Sequence, residues 1–211
     1  ITSSSQYMSS LLFKFPSLEG KIINNNYGYI DELKLVHNNI NKKEYFEIIY
    51  GGNMGLSQSP QLLAYASKNL KNIKATFIGN YNENKELMAL RGEINLIDKM
   101  SYENYLKYVS KNANAAFMSL TNELSQYCVP SKLYDYINLE LPILGHIQGQ
   151  AKEIIVNEKF GLISSNINEL KSNILNITKP KFYNEFKTNI CLKKHMWSMD
   201  YRLKEILNYL S

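Results

Sequence analysis

The stretch FEIIYGGNMGLSQSPQLLAYASKNLKNIKATFIG, from Phe46 to Gly79, decides the fold. It opens with a continuous apolar run, FEIIYGG, which is typical of a strand covered on both faces. A glycine-rich turn follows, then QLLAYASKNL with helical spacing of its apolar residues, then a second apolar run, IKATFIG. This order predicts a strand, a helix and a second strand, which together make the βαβ unit of a parallel sheet.

Outward from this unit, strand-like and helical segments alternate as far as about Leu175. Four more strands are predicted at EINLID (93–98), NAAFMSL (114–120), PILGHI (142–147) and FGLISS (160–165). Helices are predicted at about 84–90, 102–110, 131–138, 151–158 and 167–177. Ser101 and Asn166 stand where N-caps belong, and Pro130 stands at a helix start. The alternation predicts an α/β fold with a doubly wound, parallel, six-stranded Rossmann-like sheet.

The two ends differ from this central pattern and predict extra helices. Residues 1–23 predict a strand end, a helix around Gln6 to Phe15 and a loop. The last part, 182–211, is helical, with an apolar stripe of Met196, Met199, Leu203, Ile206, Leu207 and Leu210. The stripe packs either on another domain or on this domain's own sheet, and its spacing does not decide between them. We therefore expect a central domain at 24–181 and two flanking segments, in a chain that is a fragment of a longer protein.

Composition excludes several classes of protein. Hydrophobic residues at 45% and charged residues at 20% are ordinary for a globular domain. No run of residues resembles a signal peptide or a membrane span. Cys128 and Cys191 are too few for a disulfide framework, so we expect reduced thiols in the cytoplasm. The formal net charge of +5 is mild, and the excess of positive residues lies at 179–194. This charge suits phosphorylated substrates or peripheral contact with an anionic membrane, or it is ordinary protein surface. It does not predict nucleic-acid binding.

Two segments are candidates for ligand binding, because ligands of open α/β sheets bind at the carboxyl ends of the strands. GGNMG, from Gly51 to Gly55, is a glycine-rich turn whose N–H groups can approach a phosphate; the alternative is a bare turn. VPSKLYDY starts a helix with Pro130, Ser131 and Lys132, which suits a diphosphate. Asp135 follows one turn later and suits adjacent sugar hydroxyls. The alternative is a surface ion pair between Lys132 and Asp135.

Other polar residues carry weaker signals. His37, His146 and His195 are isolated and lack metal-ligand spacing, so we expect loop or core histidines and no metal. Asp98 and Lys99 end the third predicted strand. They lie either at the edge of the sheet where a ligand would bind or in an exposed loop.

Together these segments resemble the C-terminal domain of the group 1 retaining glycosyltransferases, which have the GT-B fold. The resemblance is nearest to bacterial sugar transferases of surface-polysaccharide pathways. IIYGGNMGLSQ looks like the family's first strand and loop, and ATFIGN looks like its second strand. VPSKLYDYINLELPIL, with GQAKEIIVNEKFGLI after it, is the most specific match. ITSSSQYMSSLL and KIINNNYG resemble the end of the first domain and the crossover between domains.

The resemblance implies that the chain binds a nucleotide-sugar donor, namely a UDP-sugar, without a metal or other cofactor. Asp135 matches the acidic residue that holds the ribose, and the helix start at Pro130, Ser131 and Lys132 matches the part that faces the diphosphate. Lys99 and Met100 match the loop that contacts the base of the nucleotide. Asn53, Met54 and Gly55 match the loop that closes near donor and acceptor. A saccharide or lipid-linked acceptor would sit mainly on the missing N-terminal domain.

The chain also departs from the family. Many relatives carry a glutamate eight residues before the position of Asp135, where this chain has Tyr127, with Glu123 nearby. An Arg/Lys pair that stabilises the leaving diphosphate in many relatives is replaced by Asn53 and Gln58. These departures leave two alternatives open: a non-catalytic GT-B-like partner or regulatory subunit, and a UDP-sugar 2-epimerase, which shares the fold.

Overall fold

The computed structural model describes residues 2–3, 23–24, 28–29, 44–55, 57–121 and 127–210. A short parallel pair joins β1 (Thr2–Ser3) to β2 (Ile23–Asn24). The main sheet contains β3 (Phe46–Gly51), β4 (Ile73–Ile78), β5 (Asn95–Ile97), β6 (Ala115–Leu120), β7 (Ile143–Ile147) and β8 (Gly161–Ile163). All its pairings are parallel, and the spatial order is β5-β4-β3-β6-β7-β8. The predicted six-stranded, doubly wound sheet is confirmed.

Helices connect successive strands. They are α1 (Gln61–Ser67), α2 (Lys85–Ala89), α3 (Tyr102–Asn112), α4 (Ser131–Asn138), α5 (Gly149–Asn157) and α6 (Ile167–Ile177), followed by α7 (Pro180–Lys193), a 3-10 turn (Lys194–Trp197) and α8 (Met199–Leu210). The predicted N-caps are confirmed: the Ser101 hydroxyl accepts from the N–H of Asn104, and the Asn166 side chain accepts from that of Glu169. The helix predicted at 6–15 lies outside the described residues.

The core has two halves, one on each face of the sheet. Because side chains alternate along a strand, Ile49 faces one half while Ile48 and Tyr50 face the other. Helices α3, α4 and α5 cover the first face, and α1, α2 and α6 cover the second. The sheet is therefore covered on both sides, and most side chains of its central strands are apolar on both faces, although Glu47 and Thr76 are buried among them.

The C-terminal segment contributes to this core. Phe186 and Ile190 of α7 are buried in the two halves, and Trp197 is buried against the first. Tyr29 bonds to this segment through its N–H to the Trp197 carbonyl. In α8, Leu203 and Leu207 are exposed. The apolar stripe predicted here is thus only partly covered by this domain, and the division of the chain at residues 23 and 181 stays a prediction.

No helix in the described ranges is both long enough and apolar enough to cross a membrane.

Candidate functional site

A cavity of about 520 Å³ opens at the carboxyl ends of β3, β4 and β5, beside the start of α4. Strands β3 and β6 are neighbours from which the chain winds outward in opposite directions, so this is the switch point where open α/β sheets bind ligands. The cavity is lined by Gly51, Gly52, Asn53, Ile78, Gly79, Asn80, Lys99, Met100, Tyr102, Tyr105, Ser131, Lys132 and Asp135. The fold thus brings six of the predicted site residues together: Asn53, Lys99, Met100, Ser131, Lys132 and Asp135.

Three glycines allow this close packing. A β-carbon at Gly51 would collide with the Tyr105 ring, and one at Gly79 would lie 2.4 Å from the Gly52 carbonyl oxygen. Gly52 has a φ of +104°, and its β-carbon would lie 2.7 Å from Cε of Lys132. Its backbone conformation therefore favours glycine, and a β-carbon there would displace the end of the Lys132 side chain.

Lys132 belongs to the first turn of α4 and extends toward β3. Its Nζ lies 4.4 Å from the centroid of the Tyr50 ring and donates to the Tyr50 hydroxyl at 3.3 Å. That hydroxyl in turn donates to the Asn53 carbonyl at 2.6 Å. Burial lowers the pKa of Lys132 to about 8, although the charge of Asp135 opposes the shift.

Among the described residues no carboxylate lies within 4.0 Å of Lys132 Nζ. The alternative of an ion pair between Lys132 and Asp135 is therefore not what the structure shows. A half-buried ammonium beside a cavity, held by an aromatic face and a neutral hydroxyl, retains its capacity to bind an anion.

Asp135 is the acidic residue of the cavity. It is half-buried, and its Oδ1 accepts a hydrogen bond from the Tyr102 hydroxyl at 2.5 Å. Burial raises the pKa of the Asp135 carboxyl, while the Tyr102 hydrogen bond and the charge of Lys132 act in the opposite direction. The cavity therefore presents a cation and a hydrogen-bonded carboxyl from one helix, three residues apart.

The start of α4 adds further hydrogen-bond donors. Pro130 is the N-cap in extended conformation and makes no side-chain cap. The first N–H groups of a helix have no intrahelical partner and carry the positive end of its dipole. Ser131 and Lys132, which begin this helix, both line the cavity.

Three other predicted residues lie in a neighbouring cavity. Met54, Gly55 and Gln58 line a polar cavity of about 660 Å³, which shares Asn53 and Asn80 with the first one. Glu123 lies outside the described residues. The binding roles assigned to all these positions from the sequence stay predictions.

The sequence interpretation missed several cavity residues. Tyr102 and Tyr105 line the cavity, and the buried Tyr50 holds Lys132 beside it. All three come from strand and helix positions where the sequence shows only apolar patterning or a helix start. Position in the chain was the signal that could have indicated two of these residues. Asn80 follows a strand and Tyr102 follows an N-cap, so both lie at the carboxyl edge of the sheet.

A third cavity, about 450 Å³, lies at the ends of β6, β7 and β8 and includes His146 and Lys152. The His146 ring nitrogen Nδ1 lies 2.9 Å from the Ser164 carbonyl oxygen, as expected of a structural histidine. Over the described part of the chain, no three His, Cys, Asp or Glu side chains are arranged to hold a metal ion.

Comparison with protein-family models gives no match, and comparison with curated proteins gives none either. Comparison with solved structures gives many. The chain superposes with a TM-score of 0.78 and 9% identity on Anabaena Alr3699/HepE in complex with UDP and glucose, over 99% of this chain and 62% of that one. A glycosyltransferase from Rickettsia africae ESF-5 gives 0.76 and 15%, over 99% and 62%. WaaG, a glycosyltransferase involved in lipopolysaccharide biosynthesis, gives 0.71 and 12%, over 97% and 60%.

These proteins are GT-B glycosyltransferases, and the chain has the fold of their C-terminal half. The similarity covers 97–99% of this chain, but only between 42% and 62% of the length of the glycosyltransferase chains it matches. At these identities the likeness shows the fold, as the sequence resemblance predicted.

Proposed function

We propose that this chain is the donor-binding half of a glycosyltransferase and that its main cavity holds a UDP-sugar. The observation that carries the proposal is Lys132, a half-buried ammonium with no carboxylate within 4.0 Å among the described residues, at the start of a helix. A diphosphate would place negative charge in direct contact with this ammonium, which Asp135 does not do. Solved relatives of the same fold are complexes with UDP or UDP-glucose.

Each part of the nucleotide has a matching group in the cavity. The diphosphate lies against Lys132 and the N–H groups and hydroxyl at Ser131. The ribose hydroxyls donate to Asp135, and the base lies against Lys99 and Met100. The glycines that follow β3 and β4 leave room for the nucleotide and for the Lys132 side chain, since a larger residue at Gly52 would occupy the place of the lysine stem.

The proposed reaction is transfer of the sugar with retention of configuration. The bond between the anomeric carbon and the β-phosphate oxygen breaks, and an acceptor hydroxyl oxygen bonds to that carbon on the same face while its proton passes to the departing phosphate oxygen. Negative charge develops on the leaving UDP, where Lys132 and the helix start stabilise it without a metal. The acceptor, a saccharide or a lipid-linked saccharide of cell-surface polysaccharide synthesis, binds mainly to an N-terminal half. We place the protein in the cytoplasm, with peripheral contact to the inner face of the membrane.

The test is a calorimetric titration of the chain with UDP, GDP and ADP. We expect UDP to bind with a Kd of roughly 10 μM to 1 mM, about −7 to −4 kcal/mol, and more tightly than GDP or ADP. Asp135→Asn should weaken UDP binding by about 1–3 kcal/mol, because it removes a charged acceptor.

A matched control is Asp98→Asn. Asp98 also accepts from a tyrosine, Tyr81 at 2.8 Å, but it does not line the cavity. Its substitution should leave the Kd for UDP unchanged. An unchanged Kd in Asp135→Asn would remove Asp135 from the site, and no binding of any nucleotide by the unaltered chain would contradict the proposal.

A second candidate is a non-catalytic partner subunit with this fold. The observation that favours it is the residue set at three positions: Tyr127 stands where many relatives have glutamate, and Asn53 and Gln58 stand where many have a basic pair. Such a subunit need not bind a donor. Failure to bind UDP would therefore favour it, whereas binding of UDP with added affinity for one UDP-sugar favours the transferase.

A further inference from the structure

We propose that Tyr102 is a positioning residue, which holds the Asp135 carboxylate in the orientation that accepts the ribose hydroxyls of the donor. The inference rests on the proposed function, since it concerns the same cavity. Tyr102 is the first residue of α3, and its hydroxyl reaches Asp135 in α4 at 2.5 Å from Oδ1. The bond joins two helices whose residues are 33 positions apart in sequence.

The ring of Tyr102 is not placed for packing. The side chain is 61% exposed, and the helix start that it occupies is already capped by Ser101. An exposed aromatic ring at this position buries little apolar area, so its hydroxyl is the part with a defined partner. This separates Tyr102 from Tyr105 of the same helix, whose ring is packed against the first half of the core.

Asp135 needs such a donor. Desolvation disfavours its charged form, and its nearest cation on the same helix, Lys132, is directed to Tyr50 instead. Within the described ranges, Tyr102 makes the one side-chain hydrogen bond to this carboxyl. The bond fixes the side-chain rotation of Asp135 and stabilises its ionised form.

The geometry leaves the carboxylate competent to bind a ligand. Its two oxygens offer about four acceptor positions, of which Tyr102 fills one on Oδ1. Oδ2 and the remaining position on Oδ1 are left for two adjacent hydroxyls of a ribose. Without Tyr102 the carboxylate would sample other orientations and would lose part of its affinity for those hydroxyls, whereas contacts to the diphosphate and base would not change.

The experiment compares two ligands on three proteins by calorimetry. The ligands are UDP and 2′,3′-dideoxyuridine 5′-diphosphate, which lacks both ribose hydroxyls. The proteins are the unaltered chain, Tyr102→Phe and the control Tyr81→Phe, which removes a tyrosine hydrogen bond to Asp98 outside the cavity. We expect Tyr102→Phe to bind UDP about 3- to 10-fold more weakly. The dideoxy ligand should bind Tyr102→Phe as well as it binds the unaltered chain, and Tyr81→Phe should change neither Kd.

The outcomes separate this inference from the proposed function. If UDP binds the unaltered chain more tightly than the dideoxy ligand does, and Tyr102→Phe keeps that difference, the inference is wrong and the proposed function stands. If Tyr102→Phe weakens both ligands equally, Tyr102 has a structural role and the inference is again wrong. If the unaltered chain binds neither ligand, the proposed function itself fails.

Discussion

The ammonium of Lys132 lies 4.4 Å above the centroid of the Tyr50 ring and within 3.3 Å of its hydroxyl. The Tyr50 hydroxyl donates a hydrogen bond to the carbonyl oxygen of Asn53, which lies in the loop after β3. One buried tyrosine therefore connects the lysine of α4 to the loop after β3. The cation is held by a neutral partner, so an anionic ligand would meet no competing carboxylate of the described residues within 4.0 Å of Lys132 Nζ.

This arrangement predicts how UDP binding depends on pH. Below about pH 8 Lys132 is protonated in the free protein and in the complex, so its contribution to affinity is constant. Above that pH the free protein loses a proton that the complex retains, so affinity should fall by up to about tenfold per pH unit. The β-phosphate is fully ionised above about pH 7 and does not add to this limb. Calorimetry between pH 7 and about 8.5, below the ionisation of the uracil N3–H group of UDP, measures the effect.

Two substitutions check that Lys132 is the group responsible. Lys132→Gln should weaken UDP binding at pH 7 by about 1.5–3 kcal/mol and abolish the loss of affinity at high pH. Lys132→Arg should also abolish that loss, since a guanidinium stays charged throughout this range. If Lys132→Gln still loses affinity for UDP at high pH, that loss is caused by another residue.

Gly52→Ala should damage both stability and binding. The residue has a φ of +104°, and a β-carbon there would lie 2.7 Å from Cε of Lys132. We expect a loss of about 1–3 kcal/mol in the free energy of unfolding. Displacement of the lysine should weaken UDP binding as well. The control is Gly92→Ala, where a β-carbon meets nothing within 4 Å. Urea denaturation should show a change within about 0.5 kcal/mol for Gly92→Ala, and equal effects at the two glycines would contradict the assignment.

UDP binding should not require a divalent cation. In the proposal the diphosphate charge is met by Lys132 and the start of α4. Titrations in the presence of EDTA and of millimolar Mg²⁺ should give the same Kd. A Kd that falls tenfold or more on addition of Mg²⁺ would show that these groups do not suffice to bind the diphosphate.

Local signals predicted most of the fold. The caps at Ser101 and Asn166 were predictable because a cap depends on neighbours within three residues. The apolar runs located all six strands, although β5 (Asn95–Ile97) and β8 (Gly161–Ile163) are shorter than predicted. The N–H of Glu93 bonds back to the Leu90 carbonyl, so the chain is still in a turn at 93.

The site was only partly predictable, because its geometry depends on contacts between distant segments. Lys132 and Asp135 could be found from a helix start and its spacing. The bond from Tyr102 to Asp135 could not, since it requires the relative placement of α3 and α4. Gly52 was expected to let the backbone approach a phosphate, whereas the structure shows a positive φ and the stem of Lys132 beside it.

The last prediction concerns the C-terminal segment, for which the sequence left two alternatives. Trp197 is 5% exposed and lies 6.4 Å from the ring of Tyr134 and 6.2 Å from that of Phe160, measured between centroids. If the segment belongs to this domain, Trp197→Ala should lower the free energy of unfolding by about 3–5 kcal/mol. Leu207 of α8 is 64% exposed, so Leu207→Ala should change it by less than about 0.5 kcal/mol.

Both variants are compared with the unaltered chain by urea denaturation. Trp197 is the one tryptophan of the sequence, so circular dichroism must replace fluorescence as the signal. A loss below about 1 kcal/mol in Trp197→Ala would mean that the segment adds little to this domain. A large loss in Leu207→Ala would show that the exposed face of α8 is covered in solution. The expected pattern, a large loss at Trp197 and none at Leu207, makes the segment part of this core while the outer face of α8 stays uncovered.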